Sequence, residues 1–240
     1  LPNVLAIINP NTIGDNSNYN QLAAVGVTFL FLMYLRKKLR ELNKFHTMKE
    51  PNLLAYLDLV ALGTVCDVVE LKHYNRLFVK KGLELIHKRS HKGIAKLIDN
   101  SKINSSPTSQ DLGFIVGPQI NAASRMDDSS LASTLLISND IEQIELLSRK
   151  LFLLNEKRKL IENQIFEYAN EQAVKQNNLN SIVVFGNNWH QGVLGIIASK
   201  IVDIYYKPTI VISFSNNIGV GSARSIENID LGKIILNAKQ

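Results

Sequence analysis

The stretch IVVFGNNWHQGVLGIIASKIVDIYYKPTIVISFSNNIGVGSARSI, residues 182–226, predicts a strand, a helix and two further strands. The first strand is the β-branched run from Ile182 to Phe185, which turn residues follow. Apolar residues then recur at helical spacing from Val193 to Val202. Two more strands, Thr209 to Phe214 and Ile218 to Ser225, are separated by a pair of asparagines. An αβ unit is therefore expected at this end of the chain.

This unit contains a candidate anion pocket. Side chains alternate along a strand, so Ser222 and Arg224 are expected on one face of the third strand. His190 stands at the helix entrance, where unpaired N–H groups and the helix dipole favour a negative charge. The pattern predicts a phosphate site, but it also fits an ordinary αβ unit that binds nothing.

The composition is that of a globular protein. Hydrophobic residues make up 45% of the chain and charged residues 20%, as in ordinary globular proteins. A length of 240 residues allows one large domain or two small ones. The net charge of +6 is compatible with a polyanion partner. The single cysteine, Cys66, excludes a disulfide framework and a multi-cysteine zinc site. It favours a reducing compartment, and we expect a cytoplasmic protein without a signal peptide.

The N-terminal part predicts one buried strand followed by helices. Val4 to Ile8 is a continuous apolar run, typical of a strand in a parallel sheet. Leu22 to Leu35 is too short for a membrane span, so we expect a buried helix and no membrane partner. Asn52 to Leu62 predicts another buried helix, with Gly63 as its stop.

Several polar residues stand among small or apolar neighbours. Asp67 follows the second helix, where a buried carboxylate must cap a turn, be paired or bind a metal. Small residues around Asn121 and Arg125 would let a ligand backbone approach those side chains. Asp127 and Asp128 are interpreted as caps of the next helix rather than as a metal pair.

Residues 140–173 predict one long helix. No helix breaker interrupts this segment, which would be about 50 Å long and would connect two αβ regions. Its expected apolar seam is interrupted by Arg158 and consists of Ile144, Leu147, Leu151, Leu154, Ile161, Ile165 and Tyr168.

Four parts of the chain carry motifs that occur together in one family. They are LPNVLAIINPN, LDLVALGTVCDVVEL with NRLFVKKGL, DLGFIVGPQINAASRMDDSSLA, and WHQGVLGIIASKI with GSARSI. In order and spacing they resemble the RecJ exonucleases of the DHH phosphoesterase superfamily. The resemblance spans nearly the whole chain.

The resemblance implies an α/β fold in three parts. Residues 1–139 would be the end of a parallel-sheet DHH-type domain and 140–178 a long connecting helix. Residues 179–240 would form a smaller, incomplete αβ domain that binds nucleic acid. The implied activity is 5′-to-3′ hydrolysis of single-stranded DNA with Mn²⁺ or Mg²⁺, as in DNA repair and recombination.

The resemblance also assigns roles to individual residues. Asp67 matches the aspartate of the family motif G-T-V-A-D-V-V, and it would be a catalytic metal ligand. The residues implied to bind substrate are Asn121, Arg125, His190, Ser222 and Arg224. Ser124 and Ala223 stand where the family usually has glycine.

The family's Asp-His-His signature is absent from this sequence. In the family it lies upstream of the motif found here at residue 1, and it provides most of the metal ligands. One aspartate cannot hold two divalent ions, so we expect part of a longer exonuclease that is inactive alone. The alternatives are a non-catalytic DNA-binding remnant and an enzyme acting on short oligonucleotides or cyclic dinucleotides. The residues of the RecJ motifs around Asp67 and Asn121 argue against the last alternative. The sequence identifies no protein partner.

Overall fold

The structure is a computed structural model that describes residues 3–103 and 105–238. The chain divides into two compact units. The first comprises Leu1–Ile120 and Ser133–Arg149, and the second comprises Asn121–Ala132 and Lys150–Gln240. This division groups Asn121–Ala132 with the C-terminal residues, whereas the predicted first domain, 1–139, includes them. The domain boundaries after residues 139 and 178 stay a prediction.

The regular elements described before residue 141 are all helical. They are α1 (Ala24–Glu41), α2 (Leu57–Cys66), α3 (His73–His87), α4 (Lys92–Asn100), α5 (Ser109–Asp111), α6 (Gly117–Met126) and α7 (Ser130–Ile137), with a π-helical turn at Leu112–Val116 and 3₁₀ turns at Lys44–His46 and Leu53–Tyr56. Edge-to-face packing of Phe29 against Phe78, 5.4 Å between ring centroids, joins α1 to α3 in the core. Nowhere in 3–103 or 105–238 does a helix have the length and apolarity needed to cross a membrane.

Two secondary-structure predictions for this part are wrong. Val4 to Ile8 is not a strand, and Leu5 is fully exposed. A strand needs a hydrogen-bonded neighbour, and the described residues contain no strand before Ile182. Gly63 does not end α2, which continues to Cys66. A Cβ on Gly63 would lie 2.8 Å from Cγ1 of Val25, so this glycine lets α1 pack closely against α2.

The predicted long helix is confirmed as α8 (Ile141–Val174), whose 34 residues extend about 50 Å. Its seam is buried at Ile144, Leu147, Leu151 and Ile165, as expected. Tyr168 is exposed, however, and the seam continues through Ala169 and Ala173 instead. These alanines lie in the core of the second unit.

The αβ unit predicted at the C-terminal end is confirmed. It consists of β1 (Ile182–Asn187), α9 (Gln191–Tyr205), β2 (Thr209–Ser215), β3 (Ile218–Arg224) and α10 (Leu231–Asn237). The sheet order is β1-β2-β3, with β1 parallel and β3 antiparallel to β2. Buried residues of α8, β1, α9 and β2 form one hydrophobic core. With the helices of the first unit, this sheet makes the chain an α/β protein, as predicted.

Two glutamines, one in the last turn of α8 and one just after the helix, pair with the edge of β1. The amide of Gln172 donates to the Phe185 carbonyl (2.8 Å) and accepts from the Phe185 N–H (3.1 Å). Gln176 repeats the arrangement with Val183, at 2.8 and 3.0 Å. The two side chains thus replace a neighbouring strand along this edge.

We expect replacement of Gln172 and Gln176 together by alanine to lower the free energy of unfolding by about 1–3 kcal/mol. Four hydrogen bonds to the β1 backbone are lost, and each contributes about 0.5–1.5 kcal/mol when buried, less when hydrated. Urea unfolding followed by circular dichroism measures the change. Glu171→Ala, at an exposed position of the same helix, is the control. Identical unfolding of the double variant and this control would contradict the role of the glutamines.

Candidate functional site

His190 is fixed at the entrance of α9. It is the N-cap residue, and its Nδ1 accepts a hydrogen bond from the Gly192 N–H at 3.1 Å. With Nδ1 as acceptor, the neutral ring carries its proton on Nε2, which can therefore donate to a ligand. The preceding Trp189 carbonyl accepts from the Ser213 hydroxyl at 2.8 Å, which ties this loop to β2.

Arg125, in the last turn of α6, packs against the first turn of α9. Its Nη1 donates to the Gly192 carbonyl at 3.1 Å. A Cβ on Gly192 would lie only 2.1 Å from the Arg125 carbonyl oxygen, so the two backbones meet directly. Asn121 is exposed one turn earlier on α6, and its i,i+4 spacing places it on the same helix face as Arg125.

Ser222 and Arg224 approach α9 from β3. A Cβ on Gly195 would lie 3.1 Å from the Ser222 hydroxyl and 3.2 Å from Nη2 of Arg224. The Arg224 Nε also donates to the hydroxyl of Ser199, one turn further along α9, at 3.2 Å. The predicted alternation of β3 is confirmed, because both side chains lie on the α9 side of the sheet.

Further charges surround Arg125. Burial is the main cause that lowers the pKa of the Arg125 guanidinium, and the positive charge of Arg158 lowers it further. The Glu162 carboxylate raises this pKa, and the charge of Arg224 lowers it slightly. Arg158 and Glu162 form an ion pair at 2.6 Å within α8, and Lys200 of α9 contacts the same carboxylate at 2.6 Å. An arginine remains protonated at neutral pH, so the cluster carries excess positive charge.

The structure therefore brings together four of the six predicted site residues, Arg125, His190, Ser222 and Arg224, at the N-terminal half of α9. Sequence reasoning did not assign Arg158, Glu162 or Lys200 to a site. The sequence signal for this cluster was Arg158, a charged residue that interrupts the apolar seam of α8. The structure shows that Glu162, one turn later, is buried.

Asp67 lies in the first unit, at the C-terminal end of α2. The expectation that it is buried is wrong, since it is exposed, and no capping hydrogen bond from its carboxylate occurs within the described ranges. The buried carboxylate of α2 is instead Asp58, which accepts from the Leu59 N–H at 2.7 Å and whose pKa is raised by burial. Val68, which follows Asp67, has φ +56°, a strained conformation for a β-branched side chain.

Asp67 also lines a cavity of about 510 Å³, together with Asn9 and Asn11. These three residues could offer oxygen atoms to a cation. In the described part of the chain, no three histidine, cysteine, aspartate or glutamate side chains are grouped to hold a metal ion. Hard divalent cations need about six oxygen ligands, so the residues present do not fit a complete site.

The other two candidate carboxylates have structural partners. Asp128 accepts from the Ser130 N–H at 2.8 Å, which confirms its predicted role at the start of α7. Asp127 does not cap that helix through its carboxylate, which forms an ion pair with Lys150 at 2.8 Å.

Comparison with known proteins gives matches at both levels, sequence and structure. Residues 178–240 match the DHHA1 domain family. The single-stranded-DNA-specific exonuclease RecJ of Haemophilus influenzae is 39% identical over 98% of this chain. The chain is therefore similar to RecJ exonucleases over nearly its whole length. It spans 42% of the length of that RecJ, less than half of the curated relative.

RecJ crystal structures share the fold. RecJ from Thermus thermophilus in complex with Mg²⁺ matches 89% of this chain with a TM-score of 0.75 at 28% identity, and the match covers 32% of that chain. An exonuclease RecJ bound to manganese matches 88% of this chain with a TM-score of 0.73 at 29% identity, and the match covers 50% of that chain. The α/β architecture is therefore that of RecJ, and RecJ structures contain divalent metal.

The glycines of α9 allow a paired test of this packing. We expect Gly192→Ala to lower the free energy of unfolding by about 1–3 kcal/mol, because its methyl group collides with the Arg125 backbone. Gly195→Ala should change it by less than ~1 kcal/mol, since its methyl group meets only the ends of side chains. Urea unfolding of the two variants measures the difference. Equal stabilities would show that α6 and α9 are not in the contact described.

Proposed function

We propose that this RecJ-like chain binds the phosphate backbone of single-stranded DNA at the N-terminal half of α9. In the intact protein this binding would serve 5′-to-3′ exonuclease activity. The observation that carries the proposal is the convergence of Arg125, His190, Ser222 and Arg224 on one helix end.

Each of these groups suits a phosphate. Backbone N–H groups and the dipole of α9 favour an anion at its first turn. The guanidinium of Arg224 offers a planar fork of donors, and the Ser222 hydroxyl and the Nε2–H of His190 can add single hydrogen bonds. Contacts of this kind recognise the backbone without reading bases, as a nuclease that acts on any sequence requires. Asn121, on the same face of α6 as Arg125, would extend the substrate path.

Arg224→Ala is expected to weaken binding of a labelled oligothymidine by about ten- to a hundredfold. One charge-assisted contact is worth about 1.5–3 kcal/mol, and losing one phosphate contact flattens the salt dependence by roughly 0.7 in log–log slope. Fluorescence anisotropy titrations at several salt concentrations measure both quantities.

Arg149→Ala is the matched control, because it removes the same charge from an exposed arginine of the first unit. It should leave the affinity within about twofold of the parent. If the two variants bind alike at every salt concentration, the phosphate site is misplaced.

We further propose that Asp67 supplies one ligand of a divalent metal, Mn²⁺ or Mg²⁺, in the intact exonuclease. Support comes from its place in the family motif, its exposure beside a cavity, and the strained backbone of Val68. The remaining ligands would lie outside the residues described here, so no hydrolytic step is assigned to this chain by itself.

For the intact protein we also propose the predicted domain limits, 1–139, 140–178 and 179–240. The last limit is supported by the DHHA1 match, which begins at residue 178. A cytoplasmic location remains a prediction that suits a DNA substrate.

The test of Asp67 uses a chimera in which the upstream part of Haemophilus influenzae RecJ precedes this chain. Asp67→Asn keeps the side-chain shape but removes the charge that holds a divalent ion. We expect DNA affinity without metal to be unchanged and release of nucleotides with Mn²⁺ to fall at least ~100-fold. Glu70→Gln, a nearby exposed carboxylate, is the control. Ordinary turnover by the Asp67→Asn chimera would exclude the ligand role.

A non-catalytic DNA-binding remnant is the second candidate. It is favoured by the absence of a metal-holding side-chain cluster from 3–103 and 105–238. The same chimera decides between the candidates, because a remnant would bind the oligonucleotide without hydrolysing it even after the upstream part is supplied.

A further inference from the structure

Glu162 is a buried carboxylate shared by two cations. Only 5% of the residue is exposed. One carboxylate oxygen accepts from Nη1 of Arg158 and the other from Nζ of Lys200, each at 2.6 Å. Arg158 is also held by the Asn155 side chain, whose Oδ1 accepts from its Nε at 3.1 Å. A carboxylate this buried and doubly paired fixes the positions of both cations.

The ion pairs of Glu162 connect α8 to the helix that carries the phosphate site. Lys200 directly follows Ser199, whose hydroxyl accepts from Arg224. Lys200 also lies over the ring of Phe166, 5.2 Å from its centroid, which holds α9 against α8 a second time. Loss of the Glu162–Lys200 ion pair would therefore loosen the hold of α8 on the part of α9 that Arg224 contacts.

We propose that Glu162 is a positioning residue for phosphate binding, which holds Arg158 and Lys200 so that Arg125 and Arg224 keep their places around α9. The inference rests on the proposed function of this site. Glu162 itself does not touch the phosphate, since a carboxylate repels it. Its contribution is to let several cations share a small, half-buried space.

Two physical accounts of Glu162 make opposite predictions. Glu162→Gln raises the formal net charge, now +6, by one unit. If only the overall field mattered, the loss of a negative charge near the site would tighten DNA binding. If Glu162 positions the cations, the same change would weaken binding, because a neutral amide cannot form ion pairs with Arg158 and Lys200.

The experiment measures oligothymidine affinity by fluorescence anisotropy for the parent, Glu162→Gln and Glu156→Gln. Glu156 is the matched control, since it lies half-exposed on the same helix and pairs with Lys159 at 2.8 Å. We expect Glu156→Gln to bind within about twofold of the parent and Glu162→Gln to bind about tenfold more weakly. Binding of Glu162→Gln as tight as the parent overturns the proposal.

Two further variants separate positioning from loss of stability. Glu162→Asp keeps the charge but is too short to reach both cations, so a folded Glu162→Asp chain should also bind more weakly. In an Arg224→Ala background, Glu162→Gln should cost less than about threefold, because both changes act on one site. An undiminished tenfold effect there means a general structural role and overturns the proposal. If Arg224→Ala itself binds like the parent, the proposed phosphate site fails instead.

Discussion

Positive charges repel one another, and the second unit gathers Arg125, Arg158, Lys200 and Arg224 around one helix. A half-buried cluster of this kind is unfavourable unless a negative group compensates part of its charge. Glu162 is that group, and it is carried by α8. The long helix therefore does more than extend the chain, since its seam must be packed for the carboxylate to stay buried beneath α9.

The groups around α9 come from elements with fixed geometry. Arg125 ends a helix, Ser222 and Arg224 lie on a strand, and His190 is held by its capping hydrogen bond. Side chains on such elements keep their positions better than side chains on loops. The proposed phosphate site needs this order, because its donors must match phosphates at set places whatever the bases are.

Local signals in the sequence were sufficient for the C-terminal sheet. The strands and α9 agree with the prediction to within a few residues, because β-branched runs and turn asparagines mark them. Gly63 and Val4 to Ile8 were predicted wrongly, because their structure depends on which element lies beside them. The four residues at α9 could be predicted from motifs. The ion pairs of Glu162 could not, since they join residues of two helices that only the tertiary packing brings together.

The two glutamines at β1 occupy one edge of the sheet and leave the edge at β3 open. Gln172 and Gln176 occupy the hydrogen-bonding groups on one side of β1, and β2 occupies the other side. Any additional strand, from this polypeptide or from another, can therefore join only beside β3. Growth of the sheet is confined to one edge, and that edge is the one whose strand carries Ser222 and Arg224.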